Sequence, residues 1–297
     1  MTGSMTASVL RPFTIHEVLE ALAAEPTPTL FAGGTDIMPA IRSGRRDHPL
    51  RWLALEGVPE LGTIARETTV HGARMRIGST ATHEAVAAHP IMGRHATALR
   101  DACAGLGSPA TRAWGTLGGT IAQASRSMDA ASPLLALDAV IEVASLRRGT
   151  RLIPFHRFSR ASERRDLAPD ELIVAILLPE STGTSAFVKR AVRRAMDVAA
   201  ATASASLTSS DGRVIDRATL AVGGLGPVAR RLTELESRVR GLDPAAVRDL
   251  VREAVASEEP IESDDRVADD YRLAVAAAAV HSAIQLAWSR RSDHDIL

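Results

Sequence analysis

The sequence predicts an α+β fold, and two observations support this prediction. Helical and strand-like segments are mixed through about the first 180 residues, whereas the C-terminal part shows strands first and helices afterwards. Separation of strands from helices along the chain is typical of the α+β class. With 297 residues, the chain is long enough to bury a proper core in one large domain or two modest ones.

The N-terminal elements follow from capping residues, prolines and alternation of apolar residues. In the segment 14–24, apolar residues recur at helical spacing behind Thr14 as N-cap, with Glu17 three residues on. Prolines end this helix, and a short strand at 29–32 leads into a glycine-rich loop. The other elements predicted before residue 180 are strands at 51–55, 75–79, 140–143 and 172–178, helices at 37–41, 83–89, 92–103 and 132–137, and a solvated loop at 159–169.

A domain boundary is predicted at 179–184, where proline, serine, threonine and glycine cluster. An aspartate followed by glycine between two strands is typical of a hairpin turn, and an aspartate followed by proline is typical of a helix start. The elements predicted beyond the boundary are a strand at 198–207, a hairpin turn at Asp211–Gly212, a strand at 214–222, a helix capped by Asp243 with Pro244 at its first position, and a helix at 270–290.

Two glycine-rich loops of similar composition stand far apart in the chain. The first is Phe31-Ala32-Gly33-Gly34-Thr35-Asp36, and the second is Gly115-Thr116-Leu117-Gly118-Gly119-Thr120. Glycine allows successive backbone N–H groups to converge on an anion, and a threonine hydroxyl adds a further donor. Each loop alone is more often a structural turn, but the pair suits a diphosphate. Neither loop has the spacing of the ordinary dinucleotide fingerprint.

Composition excludes several classes of function. The 35 basic and 35 acidic residues balance, which argues against a surface for nucleic acid or for an anionic membrane. Cys103 is the one cysteine, so a disulfide framework, a CxxC redox centre and an iron–sulfur cluster of the chain's own are excluded. The histidines show no metal-binding spacing. The sequence shows neither a signal peptide nor an apolar run long enough to span a membrane, so we expect a cytoplasmic, reducing setting.

The two loops and the residues around them resemble a known family. The stretch 32–37 resembles the first FAD-pyrophosphate loop of the medium, flavin-carrying subunit of molybdenum hydroxylases, the relatives of xanthine dehydrogenase, carbon monoxide dehydrogenase and aldehyde oxidoreductase. The stretch 111–119 resembles their second loop. Further matching stretches follow in the expected order, so that the resemblance covers nearly the whole chain: Asp129, 133–139, 189–199, 221–224 and 270–272.

The resemblance implies a fold and a domain organisation. The fold is the two-lobed α+β FAD-binding domain of the vanillyl-alcohol oxidase type (PCMH type), followed by a smaller C-terminal α+β domain like that of CO dehydrogenase flavoproteins. The FAD-binding domain is expected at 1–180, with lobes at about 1–57 and 58–180, and the C-terminal domain at 185–297. FAD is expected to lie extended between the lobes.

The resemblance also implies the residues that contact FAD. Asp129 would accept a hydrogen bond from a ribose hydroxyl or the adenine amino group, although an N-cap is the simpler interpretation of that residue. Lys189 would lie near the flavin ring and raise its potential, although it could instead belong to a solvated basic face with Arg190, Arg193 and Arg194. The implied cofactor-binding residues are Phe31, Ala32, Gly33, Gly34, Thr35, Asp36, Ile37, Leu106, Thr111, Gly115, Thr116, Gly118, Gly119, Thr120, Gln123, Asp129, Ile173 and Lys189.

The chain departs from the family pattern near the second loop. The family usually carries asparagine where this chain has Thr120 and again where it has Gln123, and often proline where it has Arg126. The two replacements of asparagine keep a hydrogen-bonding group but change its reach, so the cofactor contacts there are the ones we expect to differ.

The function implied is that of an FAD-carrying electron-transfer subunit. Its partners would be a large molybdopterin-binding subunit and a small [2Fe–2S] subunit, in a heterotrimer or its dimer, and electrons would leave FAD for NAD⁺, O₂ or a quinone. The chain offers no catalytic acid or base and no metal ligands of its own. Two alternatives stay open at this point: a stand-alone FAD oxidoreductase of the same fold, and a flavin-free scaffold subunit.

Overall fold

The computed structural model describes residues 7–70, 72–125, 128–159, 167–180, 183–193, 196–258 and 268–291. Arg126, Arg194 and most of the predicted loop at 159–169 lie outside these residues. Within them, no helix is long and apolar enough to cross a membrane, and no cluster of histidine, cysteine and carboxylate side chains could hold a metal ion.

The N-terminal part contains a parallel three-stranded sheet. Helix α1 (Ile15–Ala23) begins as predicted, because the Thr14 hydroxyl accepts a hydrogen bond from the Glu17 N–H at 3.2 Å, and the Glu17 carboxylate accepts from the Phe13 N–H at 2.7 Å. The first glycine-rich loop joins β2 to α2. The remaining elements are β1 (Ser8–Leu10), β2 (Thr29–Phe31), α2 (Ile37–Arg42) and β3 (Arg51–Ala54), and the strands are ordered β1-β3-β2.

A five-stranded antiparallel sheet follows, with strand order β4-β5-β8-β6-β7. Its central strand is buried on both faces. Leu172 and Val174 pack with Val18 of α1, whereas Ile173 and Ile176 pack with the helices on the other side. This explains why the strand is a nearly continuous apolar run. The strands are β4 (Ile64–Thr69), β5 (Gly72–Gly78), β6 (Val140–Ser145), β7 (Gly149–Pro154) and β8 (Leu172–Pro179).

Short helices fill the connection between β5 and β6 and carry the second glycine-rich loop. The predicted helix at 92–103 is two helices, because Ala96 leaves the helical region of the backbone at φ −144° and ψ 47°. The helices are α3 (His83–Ala88), α4 (Pro90–His95), α5 (Thr97–Ala104), α6 (Pro109–Trp114), α7 (Leu117–Gln123), α8 (Ala131–Ala136) and, after β7, α9 (Phe155–Phe158). A 3₁₀ helix, Pro59–Gly62, precedes β4.

The C-terminal part is an antiparallel sheet of order β12-β11-β10-β9 covered by helices. Alanines on both partners allow the long final helix to approach the sheet closely: Ala276, Ala279 and Ala283 share a core with Ala203 and Ala205. The elements are β9 (Thr184–Arg190), β10 (Ala201–Thr208), β11 (Arg217–Gly223), β12 (Arg230–Arg231), α10 (Thr233–Arg238), α11 (Arg248–Ala256) and α12 (Asp269–Ser289).

Two local predictions in this part need correction. Strands β10 and β11 pair antiparallel as predicted, but residues 209–216 connect them in place of a tight turn at Asp211–Gly212. The reason is that the Asp211 carboxylate accepts the N–H groups of Arg213 and Val214, which builds a wider loop. Asp243 caps a 3₁₀ helix, Pro244–Ala246, and α11 starts only after it.

Candidate functional site

A cleft of about 560 Å³ opens between the first glycine-rich loop, helix α7 of the second loop and the start of β8. Most of the predicted site residues line it: Phe31, Ala32, Gly33, Gly34, Thr35, Asp36, Ile37, Thr116, Gly118, Gly119, Thr120, Gln123 and Ile173. The predicted residues that do not line it are Leu106, Thr111, Gly115, Asp129 and Lys189. The two loops, far apart in the chain, are therefore neighbours in the fold.

Gly33 brings the two loops into direct contact. A Cβ atom on Gly33 would lie 1.7 Å from the carbonyl oxygen of Trp114, which is far inside any possible contact distance. Gly34 has a positive φ of 69°, so its backbone conformation also favours glycine. The first loop can therefore rest against the residues that precede the second loop only because Gly33 has no side chain.

The backbone N–H groups of the first loop are available to a ligand. Among the described residues, no protein group accepts a hydrogen bond from the N–H groups of residues 32–36, whereas the carbonyls of Phe31, Gly34 and Asp36 all accept one. A row of successive unpaired N–H groups beside a cleft is the arrangement that binds an anionic group such as a phosphate.

The second loop is built differently. The Leu117 N–H donates to the Ala81 carbonyl at 2.9 Å, and the Gly118 N–H donates to the Ser79 carbonyl at 2.8 Å. The next two N–H groups donate to the side chain and the carbonyl of Thr116. The glycines predicted a second row of free N–H groups, and this is wrong, because the start of α7 is docked on residues 79–81. Gly118 permits that docking, since its Cβ would lie 2.5 Å from the Ser79 Cβ.

Two residues that the sequence analysis did not select also line the cleft. Arg46 lines the cleft, and among the described residues its guanidinium forms no ion pair. The Ser79 hydroxyl is buried and has no hydrogen-bond partner among the described residues. By contrast, the cleft carboxylate Glu171 is held by Arg151 at 2.8 Å, and this hydrogen bond lowers the Glu171 pKa. In the sequence Arg46 looks like part of a solvated basic run, and nothing marks Ser79.

Asp129 and Lys189 form a buried ion pair outside the cleft lining. The Lys189 ammonium donates to Asp129 Oδ2 at 2.6 Å, while Asp129 Oδ1 has no partner among the described residues. Burial raises the Asp129 pKa, and the hydrogen bond from Lys189 opposes that rise. The N-cap interpretation of Asp129 is wrong, because the N-cap of α8 is Ala130. Lys189 is not part of a solvated face, since only 20% of its side chain is exposed.

His83 connects the second loop to the only cysteine. Its Nε2 lies 2.8 Å from Thr120 Oγ1 and its Nδ1 lies 3.5 Å from Cys103 Sγ. Its backbone N–H donates to the Gly115 carbonyl at 2.9 Å. Burial lowers the His83 pKa to about 4 and raises the Cys103 pKa to about 12, so both groups are neutral at physiological pH.

Comparisons with known proteins find related sequences over nearly the whole chain. Residues 4–181 match the family model of the FAD binding domain in molybdopterin dehydrogenase, and residues 186–287 match that of the CO dehydrogenase flavoprotein C-terminal domain. The chain is 29% identical over 273 residues to the xanthine dehydrogenase FAD-binding subunit of Escherichia coli O157:H7. The aligned region covers 90% of this chain and 91% of the relative. It is 28% identical over 264 residues to the carbon monoxide dehydrogenase medium chain of Hydrogenophaga pseudoflava, with 88% and 89% covered.

A solved structure supports the same relationship. Quinoline 2-oxidoreductase from Pseudomonas putida 86 contains a chain that superposes on this one with a TM-score of 0.86 at 26% identity. The superposition covers 96% of this chain and 97% of that chain. The likeness therefore extends over both the N-terminal and the C-terminal parts.

The contact between the loops predicts the effect of a methyl group at Gly33. Gly33→Ala places a Cβ against the Trp114 carbonyl, so the loops must separate, at a cost of about 1–3 kcal/mol and a fall in Tm of about 2–10 °C. Gly62→Ala is the matched control, because its Cβ would meet only Thr80 Oγ1, at an ordinary 3.6 Å. Thermal unfolding measures both variants. Equal melting temperatures for the two would show that the loops do not depend on this contact.

The buried pair predicts a pH-dependent effect of removing Lys189. In Lys189→Met, the pKa of Asp129 rises further above its unfolded value, so the folded state holds the proton more tightly than the unfolded state. Stability is then lost as pH rises between the two pKa values, and we expect the variant's deficit in Tm to be larger at about pH 8 than at about pH 5. Removing one partner of a buried pair costs up to about 3–5 kcal/mol, and the partial exposure of Lys189 reduces this figure.

The control for this prediction is Arg190→Met on the same strand, because the Arg190 guanidinium donates to the Ser282 hydroxyl and, within the described ranges, to no carboxylate. In the double variant Asp129→Asn with Lys189→Met, the pH dependence of the deficit should disappear, because the carboxyl that titrates at this pair is gone. A deficit that is the same at both pH values would contradict the assignment to Asp129.

Proposed function

Because the chain belongs to the family of FAD-binding domains in molybdopterin dehydrogenases, we propose that it is the FAD-carrying electron-transfer subunit of a molybdenum hydroxylase. In this proposal its partners are a large molybdopterin-binding subunit and a small subunit with [2Fe–2S] clusters, in a heterotrimer or its dimer. Electrons pass from the clusters through FAD to NAD⁺, O₂ or a quinone. The row of N–H groups at residues 32–36, which have no hydrogen-bond partner in the described part of the chain, is the observation that carries the proposal.

Several predictions from the sequence are confirmed. The family resemblance, the α+β fold class, the assignment to FAD-dependent oxidoreductases and FAD as the cofactor all agree with the matched families and relatives. The domain boundaries at 180 and 185 and the individual FAD contacts stay predictions. The names of the relatives, a FAD-binding subunit and a medium chain, support assembly with other subunits.

The residues of the cleft fit the cofactor's diphosphate. In the proposal, the N–H groups of residues 32–36 donate to the phosphate oxygens, and Arg46 supplies the one positive charge that the described part of the cleft leaves without an ion pair. Thr116 Oγ1 already accepts the Gly119 N–H, so its hydroxyl hydrogen can point to a ligand. Bound FAD supplies the redox chemistry, and the chain's own residues bind it, orient it and cover it from water.

The role of Arg46 predicts an electrostatic effect on FAD affinity. Arg46→Gln removes an exposed charge that contacts phosphate in the proposal, so we expect the Kd for FAD to rise about fivefold at low ionic strength and the difference from wild type to shrink in high salt. Arg45→Gln is the control, because Arg45 donates to the Ser43 hydroxyl and does not line the cleft. Titration of apoprotein with FAD, followed by flavin fluorescence, gives the values. An identical Kd for the two variants would show that Arg46 does not contact the bound FAD.

The subunit assignment predicts what purifies with the chain. From its native host, the protein should carry flavin absorption together with molybdenum and iron, because the metal centres belong to the partners. Elemental analysis and a visible spectrum of the same fraction measure this. Flavin without metals would favour a stand-alone FAD oxidoreductase of this fold, and metals without flavin would favour a scaffold subunit.

A further inference from the structure

His83 lies directly behind the second glycine-rich loop and touches it twice. Its backbone N–H donates to the Gly115 carbonyl, and its Nε2 lies 2.8 Å from the hydroxyl of Thr120, which lines the cleft. On the far side of the ring, Nδ1 faces the thiol of Cys103 at 3.5 Å. His83 and Cys103 are buried, with residue exposures of 1% and 0%, so water does not compete for these contacts.

The ring can make these two contacts in only two ways. A neutral imidazole carries one N–H donor and one acceptor nitrogen. If Nδ1 accepts from the thiol, Nε2–H donates to Thr120 Oγ1, and the Thr120 hydroxyl hydrogen is free to point into the cleft. If Nδ1–H donates to the sulfur, Nε2 must accept the Thr120 hydrogen, and Thr120 can offer the cleft only a lone pair.

We propose that Cys103, His83 and Thr120 form a hydrogen-bond relay that makes Thr120 a donor to a phosphate oxygen of the bound cofactor. This inference rests on the proposed function, because phosphate oxygens only accept hydrogen bonds and therefore select the first arrangement. Cys103 and His83 are positioning residues in this relay: the thiol donates to Nδ1, Nε2–H donates to Thr120 Oγ1, and the Thr120 hydroxyl donates to the cofactor. No bond to hydrogen is broken.

The relay gives Thr120 a task that backbone groups of the second loop cannot perform. The backbone N–H groups of residues 117–120 all donate hydrogen bonds to other groups of the protein. The Thr120 hydroxyl hydrogen is thus a donor that this segment can still offer. Because the hydrogen bond from His83 fixes its direction in advance, the hydroxyl needs no reorganisation when the ligand binds.

The first test reads the ring of His83 directly in the wild-type chain. Long-range ¹H–¹⁵N NMR spectra distinguish a protonated ring nitrogen from an unprotonated one, and a His83→Gln variant assigns the signals. We expect Nε2 protonated and Nδ1 unprotonated in the complex with FAD. Protonated Nδ1 in that complex would overturn the relay.

The second test uses variants whose effects must depend on one another. Thr120→Val should raise the Kd for FAD about tenfold, as expected for the loss of a hydrogen bond to a charged group. Cys103→Ala should raise it about threefold in wild type and leave it unchanged in the Thr120→Val background, because the thiol acts only through Thr120. Cys103→Ser keeps a donor and should stay within about twofold of wild type.

The outcomes separate this inference from the proposed function. Equal effects of Cys103→Ala in both backgrounds, with FAD still bound by wild type, would mean that the thiol acts by packing alone, and the relay would be wrong. If wild type fails to bind FAD, the proposed function is wrong. The His83 ring measured in the same apoprotein with inorganic pyrophosphate added then decides the relay, because protonated Nδ1 there would overturn it.

Discussion

The site depends on one close approach, between Gly33 and the carbonyl oxygen of Trp114. The space that a Cβ would need is occupied by that oxygen, so the first loop and the turn before the second loop share a boundary without a side chain between them. This contact brings together the two walls of the cleft: residues 32–36, whose N–H groups have no partner among the described residues, and the segment from Thr116 to Gln123.

The two loops are alike in sequence, but their backbone N–H groups have different partners. In the first loop, the N–H groups of Met38 and Ala40 donate to the carbonyls of Gly34 and Asp36. Protein groups therefore occupy the carbonyls of this loop, and its own N–H groups are left for a ligand, as far as the described residues show. In the second loop, the carbonyls of Ser79 and Ala81 accept the N–H groups of Gly118 and Leu117, and these bonds hold the segment in place. An unsatisfied buried N–H is costly, so the second loop had to find protein acceptors once α7 docked, whereas the first faces an open cleft.

Local patterns predicted several elements correctly but missed others, such as β4, β7 and α7, and they predicted the site only in part. The cap at Thr14, the apolar run of β8 and the alanines of α12 are signals carried within a few residues, and each element formed where expected. The fate of the second loop's N–H groups depends on carbonyls far away in the sequence, and the contact of His83 with Cys103 joins residues on different helices. Periodicity and glycine spacing contain no information on such partners, which is why Arg46, Ser79 and His83 were missed.

The buried charges connect the cleft region to the C-terminal sheet. Lys189 belongs to β9, and its partner Asp129 lies just before α8, whose Ser132 contacts the hydroxyls of Thr202 and Ser204 on β10. The charge of Asp129 also contributes to the raised pKa of Cys103, second to burial. The Lys189 ammonium on β9 therefore affects more than Asp129. Because it offsets the negative charge of Asp129, it reduces the negative potential at the Cys103 thiol, which contacts His83. The electrostatics behind the second loop thus require both parts of the chain to be folded and docked.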